Sequence, residues 1–123
     1  MSVVRVVICD DAKVYGLMLA AQLRDDAEIE VAAVTSSVEE CLEAVARDPP
    51  DVVVLDHLLP GGDSSVVIPL LRERAPGVAV VLVSGLPAEV IAQTAAEVGA
   101  EAAVSKASTQ GTVRAAILRA ALS

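Results

Sequence analysis

The sequence predicts a doubly wound α/β domain: a five-stranded parallel sheet in the order 2-1-3-4-5 with helices on both faces. Three observations carry this. Five short aliphatic runs alternate with five segments of helical period. Turn residues separate them at regular intervals, so the connections are short and each helix returns the chain to the same end of the sheet. The apolar content, 54% of 123 residues, includes 22 Ala and 22 Val but one aromatic, Tyr15. Such small and β-branched side chains suit close-packed strands covered by helices.

Each element has its own warrant. Val3 to Cys9 is aliphatic except for Arg5, the pattern of a strand covered on both faces. Ala12 to Arg24 has helical spacing, with Val14, Leu17, Met18 and Ala21 on the stripe expected to face the core. Ile29 to Val34 is the second strand. Ser37 and Glu40 form a capping box for a helix from Val38 to Arg47, with Val38, Cys41, Leu42 and Val45 inward, and Pro49-Pro50 stops it. Val52 to Leu55 is a third, buried strand ending at Asp56. After Pro60-Gly61-Gly62 a helix runs from about Ser65 to Arg74; with Ser65 as N-cap, Pro69 removes only the first intrahelical bond. Pro76-Gly77 introduces the fourth strand, Val78 to Val83. Pro87 opens the fourth helix and Gly99 closes it. A short fifth strand, Ala102 to Val104, precedes a last helix from about Thr109 to Leu122, with Val113, Ala116, Ile117 and Ala120 inward.

The length is that of one domain, so residues 1–123 are expected to form a single unit with no output domain. A net charge of −8 argues against nucleic-acid binding by the domain itself, which rests on Lys and Arg. The mean hydropathy is positive, +0.62. Even so, the longest aliphatic run, Val78 to Val83, is far short of the roughly 20 residues of a spanning helix. No basic segment precedes an apolar stretch at the N-terminus, which predicts a soluble, cytoplasmic chain without membrane contact. Cys9 and Cys41 lack CxxC spacing and lie in apolar patterns, so they are expected to be buried and reduced; with one His they cannot assemble a zinc site.

In an open parallel sheet, ligands bind beyond the carboxyl ends of the strands. The first strand ends in Asp10-Asp11, the third in Asp56, the fourth in Ser84-Gly85 and the fifth in Ser105-Lys106; the second ends in Thr35-Ser36, which begin a helix cap. Taken singly, each has an ordinary explanation: aspartates cap helices, Asp and Ser make turns, and a lone Lys is a solvated charge. Capping does not require that three carboxylates, a hydroxyl and an ammonium share one rim. Three converging carboxylates repel unless a cation joins them, and hard oxygen ligands favour Mg²⁺. A metal beside a carboxylate, with a hydroxyl and an ammonium opposite, is a kit for phosphoryl transfer, and Asp56 at its centre is the nucleophile candidate.

Cys9-Asp10-Asp11, Leu55-Asp56, Leu59-Pro60-Gly61, Ser84-Gly85, Gly99-Ala100 and Lys106 together resemble the receiver domains of two-component response regulators, over essentially the full length. Val4-Arg5-Val6 and Lys106-Ala107-Ser108 are similar to the subfamily with LuxR-type helix-turn-helix output domains. The resemblance implies a flavodoxin-like fold and a phosphoacceptor signalling module. Asp56 would take a phosphoryl group from a histidine kinase. Asp11, Asp56 and the Leu58 carbonyl would ligate Mg²⁺, Asp10 would act through water, and Ser84 and Lys106 would bind phosphoryl oxygens. The module would catalyse only its own phosphorylation and slow dephosphorylation, would shift the Ser84 and helix-four region, and would signal to a DNA-binding output domain or another effector, or by phosphorylation-dependent homodimerisation.

Two departures matter. Ala103 stands where the family usually carries an aromatic switch residue, so ring rotation there cannot read out phosphorylation; Ser64 replaces a common glycine. A pseudo-receiver acting as an unphosphorylated interaction domain is the alternative that Ala103 keeps open. A phosphohydrolase of the haloacid dehalogenase type would need an Asp at position 58, which is Leu, and a flavin module would need a phosphate loop and stacking aromatics. His57 is expected to be a solvated loop residue turned away from Asp56 by strand alternation. Tyr15 is expected to pack at its helix's edge. Leu58 and Leu86, two positions after Asp56 and Ser84, flank the approach of a hydrolytic water in receivers and cannot hydrogen-bond it.

Overall fold

The computed structural model describes residues 3–108 and 110–122. In chain order it contains β1 (Val4–Cys9), α1 (Lys13–Leu23), β2 (Ile29–Thr35), α2 (Val38–Arg47), β3 (Val52–Asp56), β4 (Leu58–Leu59), β5 (Gly62–Asp63), α3 (Ser64–Arg74), β6 (Ala79–Ser84), α4 (Ala88–Val98), β7 (Ala102–Ser105) and α5 (Gln110–Ala121). The main sheet has the order β2-β1-β3-β6-β7, and every pairing in it is parallel. This is the predicted 2-1-3-4-5 order once β4 and β5, an antiparallel hairpin that the sequence did not suggest, are set aside.

Strand alternation divides the core in two. Val7, Cys9, Val53, Leu55, Val80 and Leu82 face α2, α3 and α4, joining Val45, Val67, Leu71 and Ile91. Val6, Ile8, Val52, Val54, Val81 and Val83 face α1 and α5, joining Leu19, Leu23, Val113 and Ile117. The central strands β3 and β6 are buried throughout, which explains their unbroken aliphatic text. The exception in the first strand, Arg5, lies at its outer end, where the guanidinium donates to Asp48 at 2.7 and 2.6 Å and to Glu30 at 3.2 Å.

Several expectations need correction. The α1 stripe Val14, Leu17, Met18 and Ala21 is exposed; Gly16, Leu19 and Leu23 are the buried positions. The helix is apolar nearly all round, so periodicity cannot choose a face. Position 16 chooses it: a Cβ there would lie 3.0 Å from Val34 Cγ1, so the glycine lets α1 approach β2 closely. The N-cap of α3 is Asp63, whose carboxylate accepts from the Ser65 N–H at 2.9 Å, rather than Ser65. Pro69 is then inside the helix, on its exposed side, where the carbonyl left without a donor can reach water. The α2 cap is the predicted Ser37, which accepts from the Glu40 N–H at 3.2 Å, but Glu40 returns its bond to Ser36 at 2.9 Å. Cys9 and Cys41 are fully buried as expected but joined in a disulfide rather than reduced, with Cα atoms 6.0 Å apart. The expected start of the last helix at Thr109 lies outside the described residues.

Candidate functional site

Backbone register sets the site before any side chain does. Asp56 closes β3 opposite Val83, and Ser84 lies one residue beyond, opposite Ser105. The Lys106 N–H donates to the Ser84 carbonyl at 2.8 Å, which starts the lysine side chain from the same end of the sheet. At the other neighbour of β3, Cys9 pairs with Leu55, so Asp10 follows directly at the strand's end. Parallel pairing thus delivers Asp10, Asp56, Ser84 and Lys106 to one edge from four strands that are neighbours in the sheet, β1, β3, β6 and β7.

Two carboxylates and one ammonium meet there. The Lys106 Nζ lies 2.9 Å from Asp10 Oδ2, 3.0 Å from Asp10 Oδ1 and 3.5 Å from Asp56 Oδ2. Asp10 is 1% exposed and Asp56 9%, so neither charge is solvated in the ordinary way. Burial, then the neighbouring Asp10 charge, push the Asp56 carboxyl above the usual carboxylate range, against Lys106 and the Leu58 N–H, which favour the ionised form. Burial alone would lower the Lys106 ammonium, but the hydrogen bond and charge of Asp10, followed by Asp56, overcome it and hold the lysine above its ordinary value.

Asp11 is exposed at the rim. Among the described residues no three Asp, Glu, His or Cys side chains gather where one ion could take all of them. The three-carboxylate convergence expected from the sequence is therefore a buried pair with a third carboxylate outside it. This set still fits Mg²⁺, which keeps several waters and needs only one or two carboxylates. Asp10 Oδ2 is buried and takes no hydrogen bond, the ammonium beside it lying off the required direction, so the pair retains unused oxygen-donor capacity.

The remaining predicted residues are placed as follows. The Ser84 hydroxyl oxygen accepts from the Leu86 N–H at 3.1 Å, leaving its own proton free to donate. Leu58 and Leu86 are 64% and 41% exposed at the rim. His57 is not a solvated loop residue: its Nδ1 lies 2.7 Å from the Oγ of fully buried Ser64, and its carbonyl accepts from the Ser64 N–H at 2.9 Å. His57 and Ser64 thus clasp the two ends of the hairpin carrying Leu58. The Ala103 side chain packs on the α4 side of β7, and a groove of about 600 Å³ runs between β7 and α5, lined by Ala102, Gly111 and Ala115 among others. Tyr15 packs against the α1 and α5 core as expected, and its ring also stands over the Lys106 ammonium, 4.9 Å from Nζ to the centroid. Sequence reasoning missed that contact because 91 positions separate the two residues.

Comparison with known proteins bears on the same residues. A curated methylesterase/glutaminase from Geobacter metallireducens, named protein-glutamate methylesterase/protein-glutamine glutaminase 4, is 39% identical over 106 residues, 84% of this chain and 30% of that protein. The chain spans about a third or less of the length of the curated relatives it matches. Among solved structures, the receiver domain of the response regulator NarL from Mycobacterium tuberculosis superposes with a TM-score of 0.88 at 27% identity, covering 99% of this chain and 98% of that one. A chain from the complex of the CheA3 P1 domain with CheY6 of R. sphaeroides superposes with a TM-score of 0.87 at 23% identity, each chain covered in full, and shows the same fold. The response regulator receiver domain model matches residues 6–118, a stretch that begins in β1 and ends in α5 and so contains the whole acidic edge. A match of that extent, on a sheet of that order, makes the chain a member of the response regulator receiver domain family.

Proposed function

We propose that this receiver domain is a phosphoacceptor, with Asp56 as the residue that takes the phosphoryl group. One observation carries the reading: a buried Asp10–Asp56 pair held against Lys106 at 2.9 and 3.5 Å, on the strand ends where an α/β sheet binds ligands. A purely structural role would not need two buried carboxylates sharing one ammonium, since apolar residues of similar volume are as stable or more so.

Asp56 attacks phosphorus in line; the new O–P bond forms as the bond to the donor's leaving group breaks, on a histidine kinase a histidine nitrogen, which keeps the electron pair and takes up a proton. The phosphoryl group then presents its oxygens to the Lys106 ammonium, which must loosen its hold on Asp10, and to the Ser84 hydroxyl, whose proton is free. Asp11, Asp56 and the Leu58 carbonyl would hold Mg²⁺, with Asp10 reaching it through water; the ion supplies positive charge against the phosphoryl oxygens. His57 and Ser64 fix the hairpin that presents the Leu58 carbonyl. Drawing Ser84 inward frees the Leu86 N–H and moves the entry to α4, which is how the state would be read without a ring at Ala103.

The partner in this reading is a histidine kinase; the solved complex of CheY6 with the CheA3 P1 domain supports the choice, and the exposed Val14, Leu17 and Met18 on α1 offer an apolar face beside the site. The output is a linked domain, a separate effector or a second copy. The domain turns over no substrate beyond its own phosphoryl group, and acts in the cytoplasm. No helix among the described residues is long and apolar enough to cross a membrane. The test is mass spectrometry after incubation with acetyl phosphate and Mg²⁺. Wild type gains one phosphoryl group and Asp56→Asn gains none. A gain on the variant would move the site, and no gain on folded wild type would favour the pseudo-receiver.

A further inference from the structure

The chain's sole aromatic residue is beside the site rather than at the fifth main-sheet strand. Tyr15 is on α1, five positions after Asp10, with its ring half-buried and the Lys106 Nζ 4.9 Å from its centroid. Its hydroxyl is held above the ordinary tyrosine value by burial first and then by Asp10, while Lys106 acts in the opposite direction, so the ring is within electrostatic reach of the pair that grips the lysine. Lys106 therefore has three attractive partners from three elements: Asp10 after β1, Asp56 at the end of β3, and the Tyr15 ring on α1. A lysine head on a four-carbon stem can slide along an arc between two carboxylates; a third partner off that line fixes a point. The negative face of an aromatic ring is suited to this, because it attracts an ammonium without the charge that would compete with a phosphoryl group.

We propose that Tyr15 is a positioning residue for Lys106, holding the ammonium where a phosphoryl oxygen on Asp56 will arrive and following its displacement when the group binds. The proposal rests on Asp56 being the phosphoacceptor. It differs from plain packing, because packing requires the volume of residue 15 and positioning requires a π face over the lysine. It also gives the signal an exit on the α1 side that does not depend on a ring at Ala103.

The test uses the whole chain with acetyl phosphate as donor, so that contacts between α1 and a kinase do not enter. Tyr15→Leu keeps bulk and loses the face; Tyr15→Phe keeps both and loses only the hydroxyl. Phosphorylation of Tyr15→Leu should be slower by about fivefold, the factor a single cation–π contact represents, with Tyr15→Phe within about twofold of wild type. Equal rates for Leu and wild type, or an equal loss in Phe and Leu, overturn the proposal. A second measurement needs no change at position 15. Since Tyr15 is the only Tyr, Trp or Phe in the sequence, the intrinsic fluorescence emission spectrum of the protein is its signal alone. It should change when beryllofluoride and Mg²⁺ bind to wild type and stay unchanged in Lys106→Met. A wild-type spectrum that does not move, with beryllofluoride bound, overturns the proposal even if Tyr15→Leu does not fold. If folded wild type accepts no phosphoryl group, the phosphoacceptor reading fails and takes the proposal with it; if wild type is phosphorylated and Asp56→Asn is not, only the proposal is at stake.

Discussion

Replacing Lys106 by Met removes the positive charge that, alone among the described residues, is bonded to the Asp10–Asp56 pair, while keeping the length of the side chain. At an effective dielectric constant of about 20, unit charges at the observed 2.9 and 3.5 Å attract by about 6 and about 5 kcal/mol. Most of that is offset by the cost of desolvating the ammonium, whose side chain is 21% exposed. Breaking a buried pair by removing one partner costs about 3–5 kcal/mol, because the carboxylates stay buried and unpaired; the partial exposure of Lys106 places the expected loss near about 3 kcal/mol. The pH dependence follows from the two shifts. Lys106 is raised in the fold, so its contribution is complete below the unfolded lysine value and is lost only as the pH rises through the higher folded one. Asp56 is also raised, so its ionised form costs stability as the pH rises through its folded value, and more so without the lysine. The difference between wild type and variant should therefore be widest from neutral pH to about pH 9 and narrow as the pH falls through the raised Asp56 value, where that carboxylate takes up a proton. Urea denaturation in a metal chelator at both ends of that range measures it. Millimolar Mg²⁺ should return much of the loss by replacing the missing charge. A variant as stable as wild type at neutral pH without metal would refute the claim that the ammonium compensates the buried pair.

Three further outcomes are expected. Mg²⁺ should raise the melting temperature of wild type, the rise should vanish in Asp11→Ala, and it should shrink as the pH falls through the raised Asp56 value, because protons then compete for the same carboxylate; a rise independent of pH and of Asp11 would place the ion elsewhere. The phosphorylated domain should be long-lived, since Leu58 and Leu86 offer a water no hydrogen bond, and Leu58→Asn with Leu86→Glu should speed decay about tenfold after the donor is removed; equal decay of wild type and variant would end that idea. Reducing the Cys9–Cys41 bond, which spans 32 positions, should cost about 3–4 kcal/mol by the loop-entropy relation. This is measured by urea midpoints with and without a reductant, and an unchanged midpoint with two free thiols counted would contradict it.

What the sequence made legible tracks how local each cause is. The strands were legible because a strand buried on both faces needs an unbroken aliphatic run, and Val52–Leu55 and Val78–Val83 have no other use. Asp10, Asp56, Ser84 and Lys106 followed, since parallel strands must end at one edge. The face of α1 was not legible: Val14, Leu17 and Met18 are as apolar as Leu19 and Leu23, and the close approach of Gly16 to Val34 depends on a partner outside the helix. The α3 cap went to Asp63 because a carboxylate two residues from a free N–H outcompetes a serine already inside the turn. The hairpin of Leu58–Leu59 with Gly62–Asp63 is two residues a side, below any period that could announce it. Asp11 was placed with Asp10 by adjacency, yet neighbouring residues leave a strand end in opposite directions, one inward and one to the rim.

The sheet also acts as a bulkhead. Strand alternation gives the α2–α3–α4 side and the α1–α5 side separate side-chain inventories with only backbone between them. Substitutions on opposite sides, such as Val53→Ala and Val54→Ala, touch different neighbours, and their stability costs should nearly add although the residues are adjacent in sequence. The acidic edge is where the compartments meet: Ser84 leads toward α4 on one side, and Lys106 leads to Tyr15 and α1 on the other. A single event at Asp56 can then drive two mechanically independent reports, and a partner seated on one flank need not silence the other.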